Sequence, residues 1–333
     1  MGIIVRKSAN FVQILCLTMK FRIIFTMLSA SFLLCGCSGD RYETFSGYAQ
    51  GGTYNVKINM AGVRTPQDEI AATIDSLLTD IDFSISGYNH NSLLSRRNAG
   101  EDIVPDGHFA ALLDISEKYK EMTDGAFDVY SGPLFDIWGF GSPADSLPSP
   151  EKIEQALRDS REGKTLNFNA IAQGYSCDVV ARYLYSIGVE DMLVDIGEIY
   201  CDGLNPSGEG WRIGIDNPVD GNNSPGKDIR AIWSSEGRAC GIVTSGNYRK
   251  FYIKDGRKYA HTIDPRTGYP VQHDLLSATI VAPTAAEADA LATACMVMGP
   301  GKAREFIESR PDVEGYLITS EGVWASSGFR LEE

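Results

Sequence analysis

Asp289 and Thr293 stand four residues apart in the segment Glu287-Ala288-Asp289-Ala290-Leu291-Ala292-Thr293. Just ahead of them, Thr284-Ala285-Ala286-Glu287 has the form of a capping box and so predicts a helix start immediately before Asp289. Side chains at i and i+4 of a helix share one face. A carboxylate and a hydroxyl oxygen stacked in this way can share a hard cation such as Mg²⁺, the remaining positions being filled by backbone carbonyls, waters or substrate phosphates. Spacing alone also permits a plainer reading, in which the helix dipole favours an acid in the first turns and the threonine bonds back to its own helix.

A second group is His261-Thr262-Ile263-Asp264-Pro265-Arg266-Thr267-Gly268, in which Asp264 to Gly268 carry a turn signal between two strands. A histidine at a strand end can serve as general acid or base. Arg266 could hold phosphate or pair with Asp264, and spacing leaves both open. His90, His108 and His273 lack such company, and surface or hydrogen-bonded roles are expected for them. The chain contains no HExxH, GxxxxGK[ST], GxSxG or EF-hand pattern. Gly139-Phe140-Gly141 is a fragment of a dinucleotide fingerprint, but Pro143 follows at once and no helix opens there.

The elements that must carry these residues follow from periodicity. Thr53 to Ile58 alternates as a strand, and Thr65-Pro66 opens a helix with Ile70, Ile74, Leu77, Leu78 and Ile81 on its core face. A helix is expected from about Phe109 to Met122, and another opens at Ser149-Pro150-Glu151 after a Pro/Ser/Asp-rich loop. Beyond Leu166 come a helix near 171–187, strands near 192–196, 211–215, 229–233, 242–245, 251–254 and 277–281, two more helices and a closing strand pair. Strands joined by short turns, without one-for-one alternation with helices, indicate an α+β fold with antiparallel or mixed sheets flanked by helices.

The first 36 residues have a basic start (Arg6, Lys7, Lys20, Arg22), no acid, and an apolar run from Ile23 to Leu34 that is short for a membrane span. They end in Leu34-Cys35-Gly36-Cys37-Ser38, which resembles a bacterial lipoprotein box. That resemblance implies cleavage before Cys37, lipid on its thiol, and a body held at the cell membrane on the periplasmic side. Residues 37–47 are expected to be a lipidated tether and 48–333 the catalytic domain. The net charge of −14 becomes −18 once the leader's four basic residues are gone, leaving 26 Lys+Arg against 44 Asp+Glu. Such a body repels nucleic acid, so no nucleic-acid partner is expected, and a polyanionic ligand would need amides or a cation to hold it. Cys177, Cys201, Cys240 and Cys295 show no CxxC spacing, and a Cys201–Cys240 bridge is left open.

Taken in order, several fragments add up to a family pattern: Gly52-Thr53-Tyr54, Tyr88-Asn89 with Ser92, Asp124 to Asp128, Gly132-Pro133-Leu134, Trp138 to Gly141, Ala170 to Gly174 with Tyr175 and Asp178, Gly197-Glu198-Ile199, Thr244-Ser245-Gly246, His261 to Gly268, and Ala288 to Thr293 with Met296 to Gly299. From about Phe45 to Phe329 the chain resembles the ApbE family of FAD:protein FMN transferases. The resemblance implies an ApbE-like flavin-binding α+β fold, Mg²⁺ as cofactor, and transfer of FMN from FAD to a threonine hydroxyl of an acceptor protein with release of AMP. Asp289 and Thr293 match the family's metal-binding side chains, and Ala170 the position whose main-chain carbonyl joins them. Gly51, Tyr88, Ala126, Phe127, Asp128, Asn167 and Gln173 fall where members contact FAD, and His261 matches a histidine associated with proton transfer. Gly51 stands where methionine is common, Asn167 where aspartate is, and Gln173 where lysine or glutamate is. A threonine hydroxyl needs a base; His261 is the first candidate, Asp178 and Asp264 weaker ones. Two alternatives compete with transfer: an FAD pyrophosphatase that uses water, and a lipoprotein that only binds flavin.

Overall fold

The computed structural model describes residues 41–140, 147–219, 222, 226–248, 251–254 and 256–332. The leader and Cys37 lie outside the described residues. In chain order the strands are β1 (Tyr42–Ala49), β2 (Gly52–Asn59), β3 (Met192–Asp195), β4 (Ile199–Asp202), β5 (Arg212–Asp216), β6 (Ile229–Ser234), β7 (Cys240–Gly246), β8 (Phe251–Lys254), β9 (Arg257–Ala260), β10 (Leu275–Ala282), β11 (Glu314–Thr319) and β12 (Val323–Ala325). The helices are α1 (Gln67–Ile85), α2 (Leu93–Asn98), α3 (Gly107–Met122), α4 (Gly132–Ile137), α5 (Pro150–Arg161), α6 (Ala172–Ser186), α7 (Ala285–Met298) and α8 (Pro300–Glu308).

One eight-stranded sheet runs β1-β2-β3-β4-β7-β10-β11-β12 and every neighbouring pair in it is antiparallel. β5 with β6, and β8 with β9, form two-stranded ribbons. The fold is therefore α+β, as the mixture of short turns and unpaired helices predicts. Alternation sorts the strand residues onto two layers. Ile242, Val281, Tyr316 and Ile318 join Trp233 of β6 and Trp211, just ahead of β5, on one face, while Val243, Ile280, Ala282 and Leu317 turn to α7 and α8 on the other. β10 is covered on both sides, which is why Leu-Leu-Ser-Ala-Thr-Ile-Val-Ala reads as an almost unbroken apolar run.

Residues 42–47, expected as tether, instead form most of β1 and pair with β2 from Tyr42↔Asn59 to Ala49↔Gly52. The alternation in β1 is weak because Phe45 alone is buried, so the segment reads as polar. Gln50 and Gly51 close this hairpin with φ of 50° and 81°, the pair of positive values that a type I′ turn requires. The helix after Thr65-Pro66 begins one residue later than expected, with Pro66 at the cap and no side-chain capping bond. Ser149 does cap α5, its hydroxyl accepting from the Lys152 amide. No helix among the described residues is long and apolar enough to cross a membrane.

α7 is buried from Ala285 to Ala292 without a polar side, the mark of a core helix. Its alanines, and glycines opposite them, let the neighbouring backbones approach closely. A methyl group at Gly174 of α6 would lie 2.3 Å from the Ala285 carbonyl oxygen, and one at Gly241 of β7 would lie 2.3 Å from the Ala285 Cα. The start of α7 is thus wedged between α6 and the sheet.

Candidate active site

That wedge is locked by two carboxylates, one from each helix. Thr284 Oγ1 accepts from the Glu287 amide at 3.2 Å, the capping bond read from the sequence. The Glu287 carboxylate pairs with Arg310 at 3.3 Å. Asp178 on α6 receives the next orphan donors of α7: its Oδ1 accepts from the Ala285 amide at 2.8 Å and its Oδ2 from the Ala286 amide at 2.9 Å. In return, Asp289 Oδ2 on α7 accepts from the Gly174 amide in the first turn of α6 at 3.1 Å. Each helix therefore holds the other's N-terminal amides, where negative charge is favoured.

Asp178 thus corrects an expectation. It does not line the cleft described below, and both of its oxygens are engaged by α7, so it positions the helix rather than taking a proton from substrate. Burial pushes its pKa up to about 6, against the pull of the two amides. Asp178→Ala is expected to cost about 1–3 kcal/mol for each amide it orphans. Chemical denaturation of variant and parent would check this; an unchanged midpoint would show that water replaces the carboxylate.

Asp289 of the clamp and Thr293, one helical turn further on, open into a cleft of ≈ 340 Å³ that also reaches Tyr88, Asp128, Asn167, Ala170, Gln173, Glu198, Ser245 and His261. This is within the size range of small-molecule sites. Asp289 is 5% exposed and burial pushes its pKa well up, offset in part by the Gly174 amide. A carboxylate held this way gains by a cation. Ser245 Oγ lies 3.4 Å from Thr293 Oγ1, bringing a second hydroxyl to the same wall. The donors Asp289 and Thr293, with Ala170 lining the same cleft, are hard oxygen ligands of the sort Mg²⁺ takes, and they leave room for waters and phosphate. No group of three or more His, Cys, Asp or Glu side chains among the described residues is placed to hold a metal.

Other parts of the lining are built by turns. Asp124 (φ 50°) and Gly125 (φ 69°) reverse the chain after α3, and Thr123 Oγ1 accepts from the Phe127 amide at 3.0 Å. Ala126 and Phe127 are each 1% exposed, anchored in the core yet bordering the cleft. Asp128 Oδ1 accepts from the Tyr130 amide at 2.9 Å and Oδ2 meets Lys120 Nζ at 3.1 Å. Asn167 Oδ1 accepts from the Asn169 amide at 2.9 Å, and Asn169 Nδ2 donates to Tyr88 Oη at 3.2 Å. Tyr88 is 76% exposed at the rim, an open aromatic face for a planar ring. Gln173 packs against Gly197, where φ is +89° and a methyl group would lie 2.5 Å from Nε2.

His261 follows β9 and meets the Phe140 ring edge-on at 6.3 Å. The turn behind it is pinned: Gly268 N donates to Asp264 O at 2.8 Å, and Trp138 Nε1 donates to Gly268 O at 2.8 Å. Arg266 takes the plainer of its two readings, pairing with both oxygens of Asp264 at 2.8 and 2.9 Å. Asp264 is thereby occupied and no longer a candidate base. His108 Nδ1 lies 3.0 Å from Tyr175 Oη, and His273 Nε2 lies 2.8 Å from the Met296 carbonyl oxygen.

Gly51, expected as an FAD contact, is not among the residues that line the cleft. It sits exposed at the β1–β2 hairpin tip, where its backbone conformation serves the turn. Sequence reasoning gave no role to Glu198, Thr244, Ser245, Tyr248 or Met296, all of which line the cleft. Apart from Tyr248, their only signal was membership of the short fragments that carried the resemblance.

A family model for ApbE matches residues 51–317. The chain belongs to the ApbE family. Among ApbE relatives, the FAD:protein FMN transferase of Salmonella typhimurium is 32% identical, with 91% of this chain and 95% of the relative covered. That of Escherichia coli is 34% identical over 79% of this chain and 81% of its own. The solved flavin transferase ApbE from Vibrio cholerae superposes with a TM-score of 0.74 at 30% identity, covering 87% of this chain and 98% of the other. The Pseudomonas stutzeri flavinyl transferase ApbE, in its apo form, gives 0.75 at 30% identity, covering 86% and 94%.

Proposed function

We propose that this chain acts as its relatives are named to act, moving FMN from FAD to an acceptor protein, with Mg²⁺ seated at Asp289 and Thr293 and a threonine hydroxyl as the acceptor. The observation that carries the reading is the pair Asp289 and Thr293, presented side by side to a cleft whose other described charged residues are Asp128 and Glu198. A diphosphate brought against carboxylates needs a cation between them. When bound, Mg²⁺ supplies neutralisation of the diphosphate charge and stabilisation of the leaving phosphate. Asp289 and Thr293 contribute oxygens, and the clamp to α6 fixes where those oxygens stand. Tyr88 and the Asn167–Asn169 turn offer a stacking face and amide groups for the rings and sugar of FAD. In the step itself the acceptor oxygen bonds to the FMN-side phosphorus, the bond from that phosphorus to the bridging oxygen breaks, and AMP departs with the electron pair. His261 takes the hydroxyl proton.

The test is an incubation of the protein with FAD, Mg²⁺ and a candidate acceptor domain, followed by intact mass of the acceptor and measurement of AMP. Gain of one FMN with one AMP released is the expected result. Free FMN and AMP without acceptor labelling would replace transfer by hydrolysis, and unchanged FAD would reduce the chain to a flavin binder.

We also place the enzyme at the cell membrane on the periplasmic side, anchored through lipid on Cys37. The basic leader and the Leu34-Cys35-Gly36-Cys37 box support this. Cys37→Ser is expected to move the protein from the membrane pellet to the soluble fraction. Retention of the variant in the pellet after a carbonate wash would argue for an uncleaved span instead.

A further inference from the structure

The proposed reaction makes no use of two thiols on the far face of the large sheet. Cys201 of β4 and Cys240 of β7 are direct partners in the antiparallel register. Their Sγ atoms lie 4.0 Å apart, and both cysteines are free. The side chains are 0% and 5% exposed, among Trp211, Ile215, Trp233 and Phe329. Facing residues of antiparallel strands have Cα atoms about 4.5–5.5 Å apart, inside the roughly 4.4–6.8 Å that a disulfide spans. The register therefore meets the Cα spacing that a disulfide needs. The other two described cysteines serve as internal comparisons. Cys177 donates to the Glu198 carbonyl at 3.0 Å and Cys295 is buried in the cluster beneath α7.

We propose that Cys201 and Cys240 are a disulfide site, joined by exchange with a small-molecule or protein disulfide while the chain folds. One cysteine thiolate attacks a sulfur of the oxidant, expelling one thiolate. The second cysteine thiolate then attacks the mixed disulfide and expels the other. Two thiol protons and two electrons leave the protein, and the oxidant's S–S bond becomes two thiols. Once the sheet has packed, the neighbouring Cys240 thiol and burial both push the Cys201 thiol well up, and reagents are excluded. Exchange thus belongs to the folding chain, before β4 and β7 close over the pair.

The bond would enclose β5 and β6, the ribbon that packs on this face. It would also tie together two strands that reach the cleft, since β4 follows Glu198 and β7 carries Thr244 and Ser245. Its main effect is on stability, through the restricted unfolded chain.

The full chain, extracted in detergent, is unfolded with reductant and refolded in a mixture of reduced and oxidised glutathione. Remaining thiols are alkylated under denaturing conditions and the unreduced digest is mapped by mass. A linked Cys201–Cys240 peptide, with Cys177 and Cys295 alkylated, is the expected result. Alkylation of all four overturns the proposal, as does a link involving Cys177 or Cys295. The bridged protein should melt about 5–10 °C above the same protein after reduction, whereas Cys201→Ala should melt at one temperature in both conditions. A Cys201→Ala variant that still shifts on reduction would also overturn it. Mapping the protein as extracted, before any reduction, applies the same test to the cell: the linked peptide is expected, and free Cys201 and Cys240 there would overturn bridging during folding.

Discussion

Asp289→Asn is expected to lower AMP release from FAD on the order of 10³-fold, the loss typical of deleting a principal charge-stabilising group, while the protein stays folded. The amide has nearly the volume of the acid and can still accept the Gly174 N–H, which lies 3.1 Å from the carboxylate. The negative charge available to a cation is what is lost. Stability supplies an independent readout. Burial raises the folded-state pKa of Asp289 above its unfolded value. The linkage then runs in one direction: this group's contribution is intact below the unfolded carboxylate pKa and is lost as pH rises through the folded one. With chelator present, the parent should lose stability between about pH 4 and neutrality, and Asp289→Asn should be spared that part of the loss. Added Mg²⁺ should raise the melting temperature of the parent more at pH 8 than at pH 5, because it competes with the proton for the same oxygens. Thermal melts at two pH values, with and without Mg²⁺, would decide the matter. An asparagine variant with parental turnover, or a parent indifferent to Mg²⁺ at pH 8, would remove the metal assignment.

His261→Gln should slow labelling of the acceptor about 10²–10⁴-fold, the range of general acid–base contributions, with FAD affinity changed only a few-fold. Glutamine keeps a polar group at the end of β9 but cannot carry the proton. Rates measured by acceptor mass at saturating Mg²⁺ would show the slowing. If the variant labels at the parental rate, the proton goes elsewhere, and neither Asp178 nor Asp264 is a good replacement: one is bound to two α7 amides and the other to Arg266. The two variants are also distinguishable from each other. Only the histidine change should spare Mg²⁺-dependent stabilisation.

The local grammar of the site was well exposed in the chain. The capping box at Thr284 set the start of α7, and the i, i+4 rule put Asp289 and Thr293 on one face; both are found at the cleft. Turn chemistry likewise revealed the Asp264 to Gly268 corner, because proline, glycine and a side-chain-capping aspartate act on their nearest neighbours. Short strands fared worse. β4 and β9 are four-residue strands that each follow another strand after a short turn, and β1 buries one phenylalanine, so none of the three stands out by periodicity. Asp178 shows a different obstacle. Its place in a recognisable fragment marked it as important, but an ionised carboxylate can serve a helix terminus or a reaction equally well, and the sequence does not say where its oxygens point. Gly51 failed for a related reason: an invitingly placed glycine was doing the work of a hairpin turn.

What the sequence determined by itself was everything governed by contacts within a few residues, namely helix starts, turns and the shared face of Asp289 and Thr293, together with the acidity that sets amides or a cation as the means of holding a phosphate ligand. The tertiary structure decided which distant groups meet. It set Asp178 against Ala285 and Asp289 against Gly174, more than 100 positions away in each case. It also brought His261 to the same cleft as Asp289 and Thr293, and Cys201 beside Cys240. Such meetings arise from how buried faces fill a common interior, and close packing is a property of the whole chain rather than of any segment.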